Sequence, residues 1–192
     1  MTEGEGAVYV THPGLISVTD TLALPRLVGN GTLNGTHVEV DNLVSSNAYE
    51  SNNVFNYPPT NTHFDEVNVY YHVDRFREDY IKTLGNISLG KVTAQVHFEE
   101  ANAKFVAPAT LKIGDSFDLL SDPIPGGNDF AHEDKIMYHE YMHAVSYDIS
   151  AIEGTATGET GASPRASPIT LPVLLRSERR SWTMRFRALS AI

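Results

Sequence analysis

Cysteine is absent from this chain of 192 residues. Its absence excludes disulfides, thiolate zinc sites and cysteine nucleophiles, so any metal must be held by histidine, aspartate or glutamate. No apolar run is long enough to cross a bilayer, and we expect no membrane span. The first residues, MTEGEGAVYVTHPG, show neither the basic nor the apolar stretch of a signal peptide, so we expect none in this chain. Either the protein is cytosolic, or the sequence starts after an export signal.

Basic residues are few, with 14 lysines and arginines against 24 aspartates and glutamates, and the formal net charge is -10. This balance argues against a nucleic-acid partner. The basic residues are also unevenly distributed. Residues 163–192 contain six arginines, with Glu178 as their only acid, and no lysine, glycine, aspartate or asparagine. The composition of this tail therefore differs from that of the rest of the chain.

Strands are predicted in two parts of the sequence. Residues 1–60 are rich in valine, threonine, leucine and glycine, with short apolar stretches between turn residues, which is typical of strands and loops. Two Asn-Gly pairs in VGNGTLNGTHVEV favour a hairpin there. Between about 91 and 99 the residues alternate, which predicts a strand with Val92, Ala94, Val96 and Phe98 on one face.

Two helices are predicted, at about 64–84 and 129–150, so the expected fold class is α+β. Thr62 with Asp65 resembles a capping box for the first helix, and Gly85 favours its end. His72 on this helix is interpreted as a packing or hydrogen-bonded histidine. Asn128 or Asp129 is expected to cap the second helix. Apolar residues of the first helix recur at spacings of three and four: Val69, Val73, Phe76, Tyr80 and Leu84.

The second predicted helix carries the motif H-E-x-x-H, formed by His139, Glu140 and His143. Residues four apart on a helix lie one above the other, so two imidazoles can reach one zinc at about 2.0–2.1 Å. The glutamate can then take a proton from zinc-bound water as that water attacks a carbonyl. A chance histidine pair on a surface helix is the alternative. Ala144 and Val145 favour the zinc site, because a buried active-site helix requires small and apolar residues there.

The stretch KIMYHEYMHAVSYDIS resembles the zinc-ligand helix of the thermolysin and fungalysin class of zinc peptidases, the gluzincins. YYHVDRFREDYIKTLG is similar to the long helix that precedes it, and EEANAKFVAPATLKIGD to the edge strand and its continuation. The resemblance implies a thermolysin-like N-terminal lobe with a β-rich start, a strand and an active-site helix. It implies a protein or peptide substrate and a Zn²⁺ cofactor, and it implies secretion.

The same resemblance assigns roles to residues of this chain. It implies that His139 and His143 bind zinc and that Glu140 is the general base. It also implies that Asn102 and Ala103 form hydrogen bonds to the substrate backbone, along an edge strand to which an extended peptide can add.

A third zinc ligand is implied as well, a glutamate in an E-G-x-x-D motif after a stretch such as GETGA. GETGA stands at 158–162, but no acid follows it before Glu178. Glu153 and Glu159 precede the expected ligand helix. With suitable codons, a one-base shift from the last base of Ser163 gives Pro-Glu-Gly-Phe-Ala-Asp-Tyr, which contains the motif. We therefore hypothesise that a frameshift produced residues 163–192; a genuine basic tail is the alternative.

These observations divide the chain into three segments. Residues 1–60 are a β-rich N-terminal segment, residues 61–162 are the gluzincin-like part of a catalytic lobe, and residues 163–192 are an out-of-frame or disordered tail. Two functions stay open. The first is a zinc metalloendopeptidase, of which this chain is an N-terminal fragment that is inactive as written. The second is a non-catalytic pseudopeptidase or binding module that keeps the fold of the lobe.

Overall fold

A computed structural model of the chain describes residues 1–10, 18–85, 87–115 and 129–152. The predictions for Asn128, Glu153, Glu159 and the tail 163–192 concern residues outside these ranges. Short 3₁₀ turns lie at Ile81–Leu84 and Phe130–His132. The described strands and helices, in chain order, are β1 (Thr2–Tyr9), β2 (Thr19–Leu27), β3 (Val38–Asn42), β4 (Val54–Phe55), α1 (Thr62–Asp79), β5 (Val92–Phe98), β6 (Ala103–Val106), β7 (Thr110–Gly114) and α2 (Asp134–Ile152). The predicted α+β class is confirmed.

The strands form two sheets. In sheet A, β1 lies between antiparallel β2 and parallel β4. In sheet B the order is β3-β5-β7-β6, with β6 antiparallel to β7 and the other pairs parallel. Because β3 pairs with β5, the segments 1–60 and 61–162 share a sheet. The strand predicted at 91–99 is confirmed as β5, with all four residues of its predicted inner face buried.

The Asn-Gly pairs lie in the connection from β2 to β3, where Gly29 and Gly31 both have φ of 85°. The chain turns back on itself here through isolated bridges, Leu27 with Gly35 and Asn34 with Glu39. The strands on either side belong to different sheets, so no ladder forms between them. The predicted hairpin is therefore present as a closed loop rather than as a pair of strands.

Helix α1 lies in the interior and contacts β1, β3, β5 and α2. Every residue from 64 to 74 is buried, so this stretch has no solvent face, although an amphipathic helix was predicted. Its buried polar groups are paired, as burial requires. Glu66 is fully buried and accepts hydrogen bonds from the Asn42 amide at 2.9 Å and the Ala48 backbone N–H at 2.8 Å. The interior thus contains polar contacts as well as apolar packing.

The predicted ends of α1 need correction. The N-cap is Asn61, whose Oδ1 accepts from the His63 N–H at 2.9 Å, and Thr62 is already helical. The Asp65 side chain therefore does not close a capping box. Helix α1 ends at Asp79 instead of 84, because the chain tightens into the 3₁₀ turn Ile81–Leu84. Two residues of the predicted apolar face consequently lie beyond the helix and are largely exposed, Tyr80 and Leu84.

Helix α2 begins at Asp134, later than the predicted 129. Asp129 caps the preceding 3₁₀ turn, because its Oδ1 accepts from the Ala131 N–H at 3.0 Å. Within the described ranges, no helix is both long and apolar enough to cross a bilayer. One face of α2 joins the core through Met137, Tyr141, Ala144 and Val145.

Two polar residues of α1 hold the turn that leads into α2. Asp65 Oδ1 lies 2.8 Å from His132 Nε2, and the Asn68 amide donates to the Ala131 carbonyl at 2.7 Å. Both side chains are buried on the same face of α1, three residues apart. These contacts fix the point from which α2 starts, and with it the direction of the H-E-x-x-H motif.

Candidate metal centre

Helix α2 presents His139 and His143 together on its outward face. The two Nε2 atoms lie 3.1 Å apart, and the rings meet nearly at right angles with centroids 4.7 Å apart. His139 is exposed and His143 is half-buried. The arrangement follows from the spacing of four, because the opposite face of the helix, with Tyr141 and Ala144, is held in the core.

The distance between the two Nε2 atoms suits a shared zinc ion. Two nitrogens that each lie about 2.0–2.1 Å from one metal, and 3.1 Å from each other, subtend roughly 100° at the metal, near the tetrahedral angle. The same distance also suits a hydrogen bond from one protonated Nε2 to the other. The spacing of the pair therefore suits a shared zinc ion, provided that both Nε2 atoms are unprotonated.

Glu140 completes the group from the buried side of the helix. It is 7% exposed, and its Oε1 lies 4.0 Å from His139 Nε2. Ligand atoms of Glu140, His139 and His143 all lie within 4.8 Å of one another. The two predicted metal ligands and the predicted catalytic glutamate thus form a set that could hold a metal ion. Among the residues that the structure describes, this group contains no further carboxylate or imidazole.

Tyr138, next to His139, anchors the start of the motif and was not predicted from the sequence. Its ring stacks on Phe76 of α1, with centroids 4.4 Å apart, and its hydroxyl lies 3.1 Å from His72 Nδ1. His72 Nε2 lies 2.8 Å from the Tyr9 carbonyl oxygen. Since a carbonyl only accepts, Nε2 donates and Nδ1 accepts from Tyr138. Burial lowers the pKa of His72, which agrees with this neutral form.

These contacts confirm the prediction that His72 is a packing and hydrogen-bonded histidine. The only sequence signal for the anchor is the spacing of four between His72 and Phe76, which places both on one side of α1. That spacing does not identify their partner on α2, which lies more than sixty residues away in the chain.

Asn102 and Ala103 lie at the start of the edge strand of sheet B. Ala103 is the first residue of β6, and the Asn102 carbonyl accepts from the Gly114 N–H at 2.9 Å. Within the described part of the chain β6 pairs with β7 alone, so its other edge carries no strand. The Phe105 ring lies 5.9 Å from that of Tyr147, one turn beyond His143 on α2. The structure therefore places this edge strand beside the helix that carries the histidine pair.

A second group of ionisable side chains was not predicted. Ligand-type atoms of Asp65, His97, Asp115 and Asp129 lie within 4.8 Å of one another. The four residues come from α1, β5, the end of β7 and the start of the turn before α2. Because they are distant in sequence, no motif connects them, and only the fold brings them together.

Comparison with models of known protein families gives no match, and no curated protein matches the chain. What indicates its function is the geometry of the site and the resemblance of its motif.

Proposed function

We propose that this chain forms the thermolysin-like lobe of a gluzincin-type zinc metalloendopeptidase. The observation that carries the proposal is the histidine pair on α2, with 3.1 Å between its Nε2 atoms and the buried Glu140 beside it. If the two histidines were paired by chance on a surface helix, there would be no reason for a buried carboxylate to lie next to them. Burial of a carboxylate is costly without a compensating charge, and a bound cation supplies that charge.

His139 and His143 hold zinc through Nε2. When bound, zinc lowers the pKa of a coordinated water toward about 7 and polarises a carbonyl oxygen. Glu140 is the general base: its carboxylate accepts a proton as water attacks the peptide carbonyl, and it returns the proton to the departing amine. The buried position of Glu140 keeps bulk water from competing for that carboxylate.

The substrate is an extended protein or peptide segment that adds to the open edge of β6. Main-chain hydrogen bonds along a strand edge give affinity without demanding particular side chains. Asn102 and Ala103 lie where such a segment meets the strand, and β6 runs beside α2 near Tyr147. A peptide on this edge would pass the outward face of the histidine pair.

The third zinc ligand in this proposal is the glutamate encoded in the shifted frame after Ser163. An imidazole pair alone leaves a catalytic zinc one protein ligand short of the usual three. The chain as written is therefore expected to bind zinc weakly and to hydrolyse peptides poorly. Restoring the frame is expected to give hydrolysis that a chelator abolishes.

The experiment is a second reading of the coding DNA across residues 160–170, followed by peptide hydrolysis assays on both forms of the chain. A restored frame that encodes the glutamate motif and yields chelator-sensitive hydrolysis supports the peptidase. An error-free reading that gives the present tail, together with no hydrolysis, favours the non-catalytic binding module. Efficient hydrolysis by the chain as written would overturn the account of the third ligand.

A further inference from the structure

His97 occupies an unusual position at the end of β5. Its φ is 57°, in the left-handed region that non-glycine residues rarely adopt, and the register of β5 with β7 shifts between Val96 and Phe98. The irregularity turns the imidazole inward, where the residue is 8% exposed. Such backbone strain persists only when the surroundings hold the residue in place.

Both ring nitrogens of His97 face hydrogen-bond acceptors. Nδ1 lies 2.9 Å from Asp115 Oδ1, and Nε2 lies 3.0 Å from the Thr62 carbonyl oxygen. Asp65 Oδ2 is 3.5 Å from the same Nε2. A carbonyl oxygen cannot donate, and an ionised carboxylate only accepts, so both ring nitrogens must carry protons. His97 is therefore an imidazolium that connects the start of α1 to the end of β7.

The pKa values of His97 and Asp129 agree with this geometry. Burial by itself lowers the pKa of His97, but the hydrogen bonds to Asp115 and Thr62 and the charge of Asp65 outweigh it, and the pKa is raised to about 9. For Asp129, burial and then the negative charge of Asp65 raise the pKa to about 7. Both groups thus favour their protonated forms in the folded protein.

Other charged groups also face this cluster. His132, on the 3₁₀ turn, lies 2.8 Å from Asp65 Oδ1. Glu99 and Lys112 line the cavity of about 620 Å³ that His97 and Asp115 also border. The Lys112 ammonium lies over the Phe98 ring, 4.5 Å from its centroid. His97 is consequently the cation that makes direct contact with both Asp65 and Asp115.

We propose that the cluster of His97 with Asp65, Asp115 and Asp129 is a proton-operated latch, which fastens α1, sheet B and the turn into α2 in mildly acidic solution and loosens as the pH rises. The latch joins three elements that are distant in sequence, and Asp129 also caps the turn from which α2 starts. Its release would free the start of α2, the helix that carries the histidine pair.

The direction of the pH dependence follows from linkage. His97 has a folded pKa above its ordinary value, so its contribution is complete below about pH 6.5 and is lost as the pH rises through about 9. Asp129 also has a raised folded pKa, so its contribution is complete below about pH 4 and is lost as the pH rises through about 7. Both contributions therefore fall with increasing pH.

The first test is an NMR titration of the histidine side chains in the full chain, with EDTA present to remove metals. The chain has eight histidines. We expect the His97 imidazole to stay protonated at pH 8 and to titrate near pH 9, and this titration to be absent in His97→Gln. The proposal is wrong if all eight imidazoles have lost their extra proton by pH 8. This readout does not depend on any peptidase activity.

The second test follows the folding equilibrium between pH 6 and pH 9.5 by denaturant unfolding in EDTA. The wild-type equilibrium constant is expected to fall roughly a hundred-fold, less than the full pKa shift implies, because Asp115 is half exposed to solvent. His97→Gln should flatten this dependence. His37→Gln removes a more exposed histidine paired with Glu78 and should leave it unchanged. Equal slopes in wild type and His97→Gln would contradict the latch.

A third arm separates the latch from a divalent-cation site. The three carboxylates could attract calcium if His97 were not the resident cation. Adding millimolar calcium to the wild-type chain at pH 8 without EDTA is expected to leave its stability unchanged. A marked stabilisation that Asp115→Asn abolishes would assign the cluster to a metal and overturn the proposal.

Discussion

Replacing Glu140 by glutamine is expected to lower zinc-dependent peptide hydrolysis by about two to four orders of magnitude. The amide keeps the size of the side chain but cannot take a proton from water. Glu140 is buried beside His139, with Oε1 4.0 Å from Nε2, so no solvent-exposed group can easily replace it. The measurement is kcat/KM on the form with the restored frame, with the zinc content of each protein determined alongside.

The expected loss is in kcat, because the general base acts in the transition state and contributes little to substrate binding. Zinc content should stay the same, since the two histidines are untouched. Glu78→Gln is the matched control: this acid on α1 pairs with Lys82 at the surface, and its loss should leave hydrolysis unchanged. If Glu140→Gln retained more than about a tenth of the activity, Glu140 would not be the base.

Replacing His143 by glutamine is expected to weaken zinc binding by at least about a hundred-fold. Loss of a group that merely orients a ligand typically costs 10–100-fold in metal affinity, and loss of a ligand should cost more. His143 is half-buried on the outward face of α2, so the helix should remain folded. Competition against a chromophoric chelator measures the affinity, and circular dichroism checks the fold.

The matched control for this experiment is again His37→Gln, which removes an imidazole of the described structure that lies apart from the motif. It should bind zinc as the wild type does. His139→Gln should behave like His143→Gln, because the geometry assigns both residues the same role. Equal zinc affinity in wild type and His143→Gln would exclude the histidine pair as the site.

The sequence predicted β5 and the histidine pair correctly because the spacing of residues along the chain is enough to position both. Alternation set the inner face of β5, and a spacing of four brought the two Nε2 atoms together. The burial of α1 on all sides did not follow from its sequence. Asp65 and His72 are polar, and they lie in the interior only because partners on other elements receive their hydrogen bonds.

The positions of the latch residues could be predicted from the sequence even less well than the burial of α1. His97 belongs to an alternating strand whose pattern predicts an outward side chain, but the irregular register and the left-handed backbone turn it inward. Similarly, Asp129 has the character of a helix cap, yet it caps a short 3₁₀ turn because α2 starts later. Such details depend on tertiary contacts, which composition and spacing do not specify.

We propose that His139 and His143 bind one zinc ion together. X-ray absorption at the zinc edge, measured on the 192-residue chain with one equivalent of zinc, reveals which atoms surround the metal. We expect two imidazole nitrogens at about 2.0–2.1 Å from the metal in the wild type, and fewer than two in His143→Gln. A zinc shell without imidazole, or one that His143→Gln leaves unchanged, would contradict the proposal.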